Sequence, residues 1–240
     1  DPMQSNRSRN WFGLDWLLFN IKIKHKFNSN SNLSFNFFGL DAERNSIGFR
    51  SNRVDQVDPF TERDLIKGKF NNHGLEIKFL NNYKFLNRKN VFVIGGKYYK
   101  SKSTSKQGPG SNLENADFNF YIEEYPNYTN QSDYIYPNKN LALFGENILY
   151  LTDKISLTPG LRYENILTKS RGSFKQINLD AAGNVIYNNT TYENQNNRRA
   201  FFLFGLGFSF KTPKDIELYS NISQNYRSVT FADISIINPS

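Results

Sequence analysis

Apolar and polar residues alternate with a period of two along most of the chain, which predicts β-strands with one apolar and one polar face. The clearest example is residues 198–211. One face there is a row of large apolar side chains (Phe202, Phe204, Leu206, Phe208, Phe210), and the other is mostly small (Leu203, Gly205, Gly207, Ser209). We predict eight such strands, at residues 13–27, 33–44, 70–85, 91–100, two within 141–165, 198–211 and 216–227.

The connections between these strands alternate between short and long. Short turns centre near residues 30, 88, 153 and 213, and long polar connections cover residues 45–69, 101–138 and 167–197. The third of these contains Asp180–Asn184, whose turn-forming residues suggest a small hairpin within the loop. Short turns at one end and long loops at the other are typical of an outer-membrane β-barrel. A soluble β-sandwich would need three long loops at the same end.

The composition agrees with an all-β chain that crosses a membrane by strands. Aromatic residues make up 16% of the sequence, and the mean hydropathy is −0.63. No apolar run approaches the roughly 18 residues of a transmembrane helix, but barrel strands are half polar and need none. The net charge of +8 comes from scattered lysines and arginines. Since no nucleic-acid motif accompanies them, we expect no nucleic-acid partner.

No set of residues points to catalysis or to a resident metal. Cysteine is absent, and the two histidines, His25 and His73, lie far apart in strand-like runs. Glu146, Arg162 and Glu164 are better explained as polar groups of a barrel wall than as an acid–base set. We therefore predict a protein that is not an enzyme, with no catalytic residues, no metal ligands and no cofactor.

Three stretches resemble a known family. Residues 142–164, ALFGENILYLTDKISLTPGLRYE, resemble the mid-barrel hairpin of TonB-dependent outer-membrane transporters. Residues 218–234, LYSNISQNYRSVTFADI, resemble a later strand and loop of the same receptors. Residues 52–70 (NRVDQVDPFTERDLIKGKF) and 105–112 (SKQGPGSN) resemble the branch of ferric dicitrate receptors.

The resemblance implies that residues 1–240 are part of an antiparallel transmembrane β-barrel in the bacterial outer membrane. The chain would supply about eight of 22 strands, with short periplasmic turns and long extracellular loops. Both ends look cut, so we expect an internal segment that lacks the plug domain, the TonB box and the C-terminal strands. The implied partners are a ferric chelate, outer-membrane lipid and the TonB–ExbB–ExbD complex, which would act through the missing N-terminal part. Iron would be carried only as chelate cargo.

The resemblance also suggests where a chelate would bind, because the ligand of this family is held by the barrel wall and the outer loops. Arginine offers a planar fork of donors to carboxylates. The candidate ligand-binding residues are Arg50, Arg53, Arg63, Gln224 and Arg227. As alternatives, these residues would be solvated or would pair with the acidic residues of the first loop, which are Asp55, Asp58, Glu62 and Asp64. The tyrosines of the second loop would wall the ligand or form an aromatic girdle at the membrane surface (Tyr121, Tyr125, Tyr128, Tyr134, Tyr136).

Several functions stay open at this point. Uptake of a ferric chelate, and ferric citrate above all, is the function that the resemblance favours. A transporter of the same architecture for another siderophore, cobalamin or a glycan is the first alternative. A passive porin or adhesin without energy coupling is the second, and a soluble carbohydrate-binding β module is the third.

Overall fold

The computed structural model describes residues 7–51, 55–212 and 216–226. All regular elements in this part are strands: β1 (Trp11–Lys26), β2 (Ser31–Gly48), β3 (Asp64–Phe85), β4 (Arg88–Pro109), β5 (Gln131–Tyr150), β6 (Ile155–Leu179), β7 (Val185–Lys211) and β8 (Glu217–Ser223). They form one antiparallel sheet in which each strand pairs with the next, and the sheet does not close between β1 and β8. The predicted all-β antiparallel fold is confirmed. No helix among the described residues is long and apolar enough to cross a membrane.

Short connections lie at one end of the sheet, which we call the turn end. They cover residues 27–30, 86–87, 151–154 and 212–216, close to the predicted centres, although 213–215 lie outside the described residues. Leu86 and Asn87 both have positive φ, 52° and 57°. Both central residues of a type I′ turn have positive φ, and the twist of this turn matches that of the flanking strands. The link between β3 and β4 is therefore as tight as a hairpin allows.

The opposite end, which we call the loop end, has longer strands and shorter loops than predicted. The connection between β2 and β3 is reduced to residues 49–63, and that between β4 and β5 to residues 110–130. The predicted loop at 167–197 is wrong, because β6 and β7 stay paired up to a turn at residues 180–184. The small hairpin expected at Asp180–Asn184 is confirmed as the tip of this longer one, with Gly183 at φ 84°.

One face of the sheet carries a continuous apolar surface. The register places Ile21, Phe37, Leu75, Tyr98 and Leu141 side by side on five neighbouring strands, and all are between 38% and 57% exposed. We call the whole surface the apolar belt. It comprises Leu17, Phe19, Ile21, Ile23, Phe35, Phe37, Leu75, Ile77, Phe79, Ile94, Tyr98, Leu141, Leu143, Leu161, Tyr163 and the β7 row Phe202, Phe204, Leu206, Phe208 and Phe210. An exposed apolar surface of this extent is suited to lipid.

The opposite face, which we call the polar face, carries many charged, amide and small side chains, together with a few large apolar ones such as Phe38 and Phe144. Across the same height of the sheet the register aligns Lys22, Asn36, Glu76 and Lys97. Glycine has a specific packing role here at Gly95, where a Cβ atom would lie 2.6 Å from the Phe144 ring and 2.5 Å from the Ile77 carbonyl oxygen. With lipid on the belt side, the polar face is the one that would line the interior of a closed barrel.

Candidate ligand-binding site

A polar cavity of about 400 Å³ lies on the polar face near the loop end. We call it the loop-end cavity. Its side chains come from β4, β5, β6, β7 and the end of the connection 110–130, and most carry a hydroxyl or an amide. The lining includes Ser105, Gln107, Thr129, Asn130, Gln131, Ser132, Tyr134, Tyr136, Ser170, Phe174, Lys175, Glu193 and Gln195. Such a lining can donate many hydrogen bonds to an oxygen-rich ligand.

Two tyrosines form the wall of the cavity on β5. The rings of Tyr134 and Tyr136 are stacked, with centroids 5.8 Å apart and an interplanar angle of 7°. The Tyr134 hydroxyl donates a hydrogen bond of 2.8 Å to Oε2 of Glu193 on β7. This bond occupies the only carboxylate in the lining and holds the Tyr134 ring in place, so one side of the cavity is a fixed aromatic wall.

A buried carboxylate connects the cavity to the first loop. Asp64, at the start of β3, is only 5% exposed and accepts three sets of hydrogen bonds. The donors are Arg50 Nη1 at 3.1 Å, Gln107 Nε2 at 2.9 and 3.0 Å to its two oxygens, and the Tyr128 hydroxyl at 2.8 Å. Burial, and then the charge of Asp64, raise the pKa of Tyr128 well above its usual value, so its hydroxyl remains a donor. Arg50 is thereby fixed at one end while its side chain stays 64% exposed.

A second cluster binds the loops to each other on the belt side of the sheet. Arg63 is fully buried and donates to the carbonyl oxygens of Ser111, Arg9 and Asn115 and to the Ser111 hydroxyl, at 2.8–2.9 Å. Arg9, 1% exposed, forms a bidentate ion pair with Asp58 and lies over the Phe60 ring. We call Arg9, Arg63 and Asp58 the arginine clamp. It joins the segment before β1 to the connections 49–63 and 110–130, so their positions depend on one another.

The arginine clamp is expected to weaken in acid. Hydrogen bonds from Arg9 hold the pKa of Asp58 below its ordinary value. A carboxylate whose pKa is lower in the folded state stabilises that state above about pH 4, and this contribution is lost as the pH falls through the lowered value. A spin label attached to Leu113→Cys, in the connection 110–130, should therefore become mobile below about pH 4 in the full-length protein. In the Asp58→Asn variant the same label should already be mobile at neutral pH. If the label in Asp58→Asn became mobile only in acid, as it does with Asp58 present, Asp58 would not be the group whose protonation releases the loops.

The structure places the predicted ligand-binding residues in different environments. Arg50 lines a separate pocket of about 220 Å³ and is linked to the loop-end cavity only through Asp64, which also accepts hydrogen bonds from Gln107 of the cavity lining. Arg63 is enclosed in the arginine clamp on the other face. Gln224 accepts a hydrogen bond from the Phe204 backbone N–H at 3.1 Å, so it lies at the height of the apolar belt rather than near the loop end. Arg53 and Arg227 lie outside the described residues. Ligand contacts at these positions remain predictions.

Several cavity residues were missed by sequence reasoning. Ser105 and Gln107 fell within a predicted loop, and so did Ser170, Glu193 and Gln195 in the next one. One sequence signal does indicate that β4 extends further than predicted. Small or amide side chains recur at every second position, at Ser101, Ser103, Ser105 and Gln107, so the period of two continues beyond residue 100. Among the described residues no cluster of histidine, aspartate and glutamate could hold a metal ion.

Three comparisons relate the chain to known proteins. The profile of the family described as "TonB dependent receptor-like, beta-barrel" matches residues 2–239. No curated protein matches the chain in sequence. Among solved structures, the unliganded ferric citrate transporter FecA aligns over 98% of this chain and 31% of its own, with a TM-score of 0.68 and 14% identity. The ferric-catecholate import receptor Fiu from E. coli K12 aligns over 89% of this chain and 36% of its own, with a TM-score of 0.64 and 10% identity. The chain therefore spans about a third of the length of these receptors, which share its fold.

Proposed function

The chain belongs to the TonB-dependent receptor-like β-barrel family of bacterial outer-membrane proteins, and from this premise we propose that the whole protein takes up a ferric chelate, namely ferric citrate. In this family's arrangement the apolar belt faces lipid, the polar face lines the barrel interior, the turn end is periplasmic and the loop end is extracellular. The loop-end cavity then opens towards the outside of the cell, where a chelate would first be met.

The observation that carries the proposal is the composition and position of the loop-end cavity. Its hydroxyl and amide lining suits a ligand with many oxygen atoms, and its only carboxylate is already bonded to Tyr134. Ferric citrate is anionic and presents carboxylates, which charge-assisted bonds from arginine recognise best. We assign this role to Arg50, which is fixed by Asp64, is still largely exposed, and is linked through Asp64 to Gln107 of the lining. We propose Arg53 and Arg227 as further contacts from the loops, and Gln224 as a contact further down the interior.

Transport in this proposal depends on parts of the protein beyond residues 1–240, which we propose to include a plug domain, a TonB box and the C-terminal strands. The plug would fill the barrel interior, and TonB, acting with ExbB and ExbD, would pull on it to open a path. Iron would be cargo only.

A glycan or another neutral cargo is a second candidate, and the stacked tyrosines favour it. Flat aromatic faces such as those of Tyr134 and Tyr136 suit sugar rings, and apart from one carboxylate, Glu193, and one ammonium group, Lys175, the cavity lining is neutral. Family membership does not favour the passive porin or adhesin, and it rules out the soluble module. The two remaining candidates differ in the charge of the cargo, and this makes them separable by experiment.

Titration of the full-length receptor in detergent tests the proposal. We expect ferric dicitrate to bind, and iron-free citrate, a hydroxamate siderophore, cobalamin and a maltooligosaccharide to bind at least tenfold more weakly. Arg50→Ala should weaken ferric dicitrate binding by about 10- to 100-fold, the usual range for a lost charge-assisted bond.

Arg171→Ala is the matched control, because Arg171 is an exposed arginine near the loop end that points to the belt side. It should leave binding unchanged. Equal affinity for all probes would contradict the citrate assignment. Tight binding of the oligosaccharide alone would favour the glycan candidate.

A further inference from the structure

We propose that the belt side of the sheet holds a phosphate-bearing lipid of the extracellular leaflet, through a cluster of cations just beyond the apolar belt. The cluster consists of Lys100, Lys102, Lys139, Lys169 and Arg198, and we call it the cationic patch. This inference depends on the location in the outer membrane and not on the cargo. It concerns the lipid-facing surface, opposite the loop-end cavity.

The register brings three of these lysines together. Lys100 on β4 is directly opposite Lys139 on β5, and Lys102 follows two residues further along β4 on the same face. Opposite residues of an antiparallel pair have Cα atoms about 5 Å apart, and alternate residues of one strand about 7 Å apart. The three side chains are exposed. Lysine side chains are long enough for three ammonium groups at these spacings to contact one phosphate.

The patch lies where lipid phosphates would be. Along β4 it begins two residues after Tyr98, and along β5 it ends two residues before Leu141, both of which belong to the apolar belt. The patch is therefore about 7 Å beyond the end of the apolar belt on these two strands, at the height of the lipid headgroups. Lys169 on β6 and Arg198 on β7 extend it sideways over two more strands.

No carboxylate neutralises the patch. Among the described residues none of its members forms an ion pair. Two carboxylates on the same side of the sheet are engaged elsewhere, since Glu43 pairs with Lys69 at 3.3 Å and Asp133 with Lys106 at 3.9 Å. A third, Asp41, lies at the height of Lys102 but two strands away, with Asn71 of β3 between them. Like charges that face each other across two strands are unfavourable. An external anion between Lys100 and Lys139 would turn this repulsion into attraction.

The other border of the belt has no such patch, which points to the extracellular leaflet. On the belt side near the turn end, the described residues include one lysine or arginine, Arg88, and it is paired with Asp153. Cations confined to the loop-end border select a ligand whose phosphates lie at that border. A scattered distribution would have served only general solubility.

A binding experiment with the full-length receptor tests this inference. The probes are diphosphoryl lipid A, the same lipid after enzymatic removal of its phosphates, and inorganic phosphate. We expect the diphosphoryl lipid to bind tightest. The triple variant Lys100→Gln/Lys102→Gln/Lys139→Gln should bind it about 100-fold more weakly, since each lysine near a membrane surface contributes about fivefold.

The control removes the same charge from the polar face, as Lys22→Gln/Lys24→Gln/Lys84→Gln, and should bind the lipid like the unmodified receptor. Both triple variants should unfold at the temperature of the unmodified receptor, because all six lysines are partly or fully exposed. Equal weakening by the two variants, or equal binding of the dephosphorylated lipid, would overturn the inference. Competition by inorganic phosphate at the same concentration as the lipid would also overturn it, because the site would then not be a lipid site.

Discussion

Leu206→Lys is expected to lower the free energy of unfolding of the full-length barrel in lipid vesicles by about 2–4 kcal/mol. Leu206 is at the centre of the apolar row of β7 and is 50% exposed on the belt side. A lysine at the bilayer midplane on the lipid face of a barrel costs this amount, because its charge must lose its hydration or distort the bilayer. Unfolding in urea, followed by tryptophan fluorescence, measures the difference.

The matched control is the same substitution three residues away, Leu203→Lys, on the polar face of the same strand. It is expected to cost about 0–1 kcal/mol, since an ammonium group there meets water or polar protein groups. The pair of variants therefore reports the orientation of the whole sheet. A shift of the register by one residue would exchange the two faces. Equal costs, or a larger cost at Leu203, would contradict the assignment of the belt to lipid.

The membrane-spanning part of the sheet could be predicted from the sequence for a physical reason. Lipid on one side and a polar interior on the other force a strict alternation, and β7 shows it from Phe202 to Phe210. Beyond the membrane both faces are wet, so the alternation of apolar and polar residues disappears while backbone pairing continues. This is why the sequence predicts a loop at Thr191 and Glu193, although they belong to β7.

The candidate site could be predicted only in part. Near the end of a strand, the face of the sheet on which a side chain lies depends on the residue at which the strand begins. Arg50 and Arg63 look equivalent in the sequence, as arginines of one charged segment. In the structure Asp64 starts β3 on the polar face, so the preceding Arg63 points to the belt side, under the connection 110–130. Gln107 and Tyr128 reach Asp64 from two other segments of the chain, and no local sequence pattern indicates contacts between segments so far apart.

Arg63→Met is expected to release the loops without unfolding the barrel. It removes four hydrogen bonds and leaves the buried carbonyl oxygens of Ser111 and Arg9, and the partly buried one of Asn115, without this donor. Each unsatisfied buried group costs about 1–3 kcal/mol, so the closed arrangement of the loops should lose about 2 kcal/mol or more. That corresponds to an open population at least about 30-fold larger. Chymotrypsin added to intact cells should then cut within residues 110–130, while the barrel resists.

Two further variants separate this structural role from the ligand contact that the sequence suggested for Arg63. Arg88→Met removes an arginine from an exposed ion pair at the turn end, which typically stabilises by only about 0–1 kcal/mol, and should leave proteolysis unchanged. Arg63→Lys keeps the charge but not the fork of donors that reaches three carbonyls, so it should be cut nearly as fast as Arg63→Met. If Arg63→Met lost chelate binding while the loops stayed protected, Arg63 would be a ligand contact after all. If binding and protection were lost together, and Arg63→Lys restored neither, the arginine would act by holding the extracellular loops in the positions that shape the cavity.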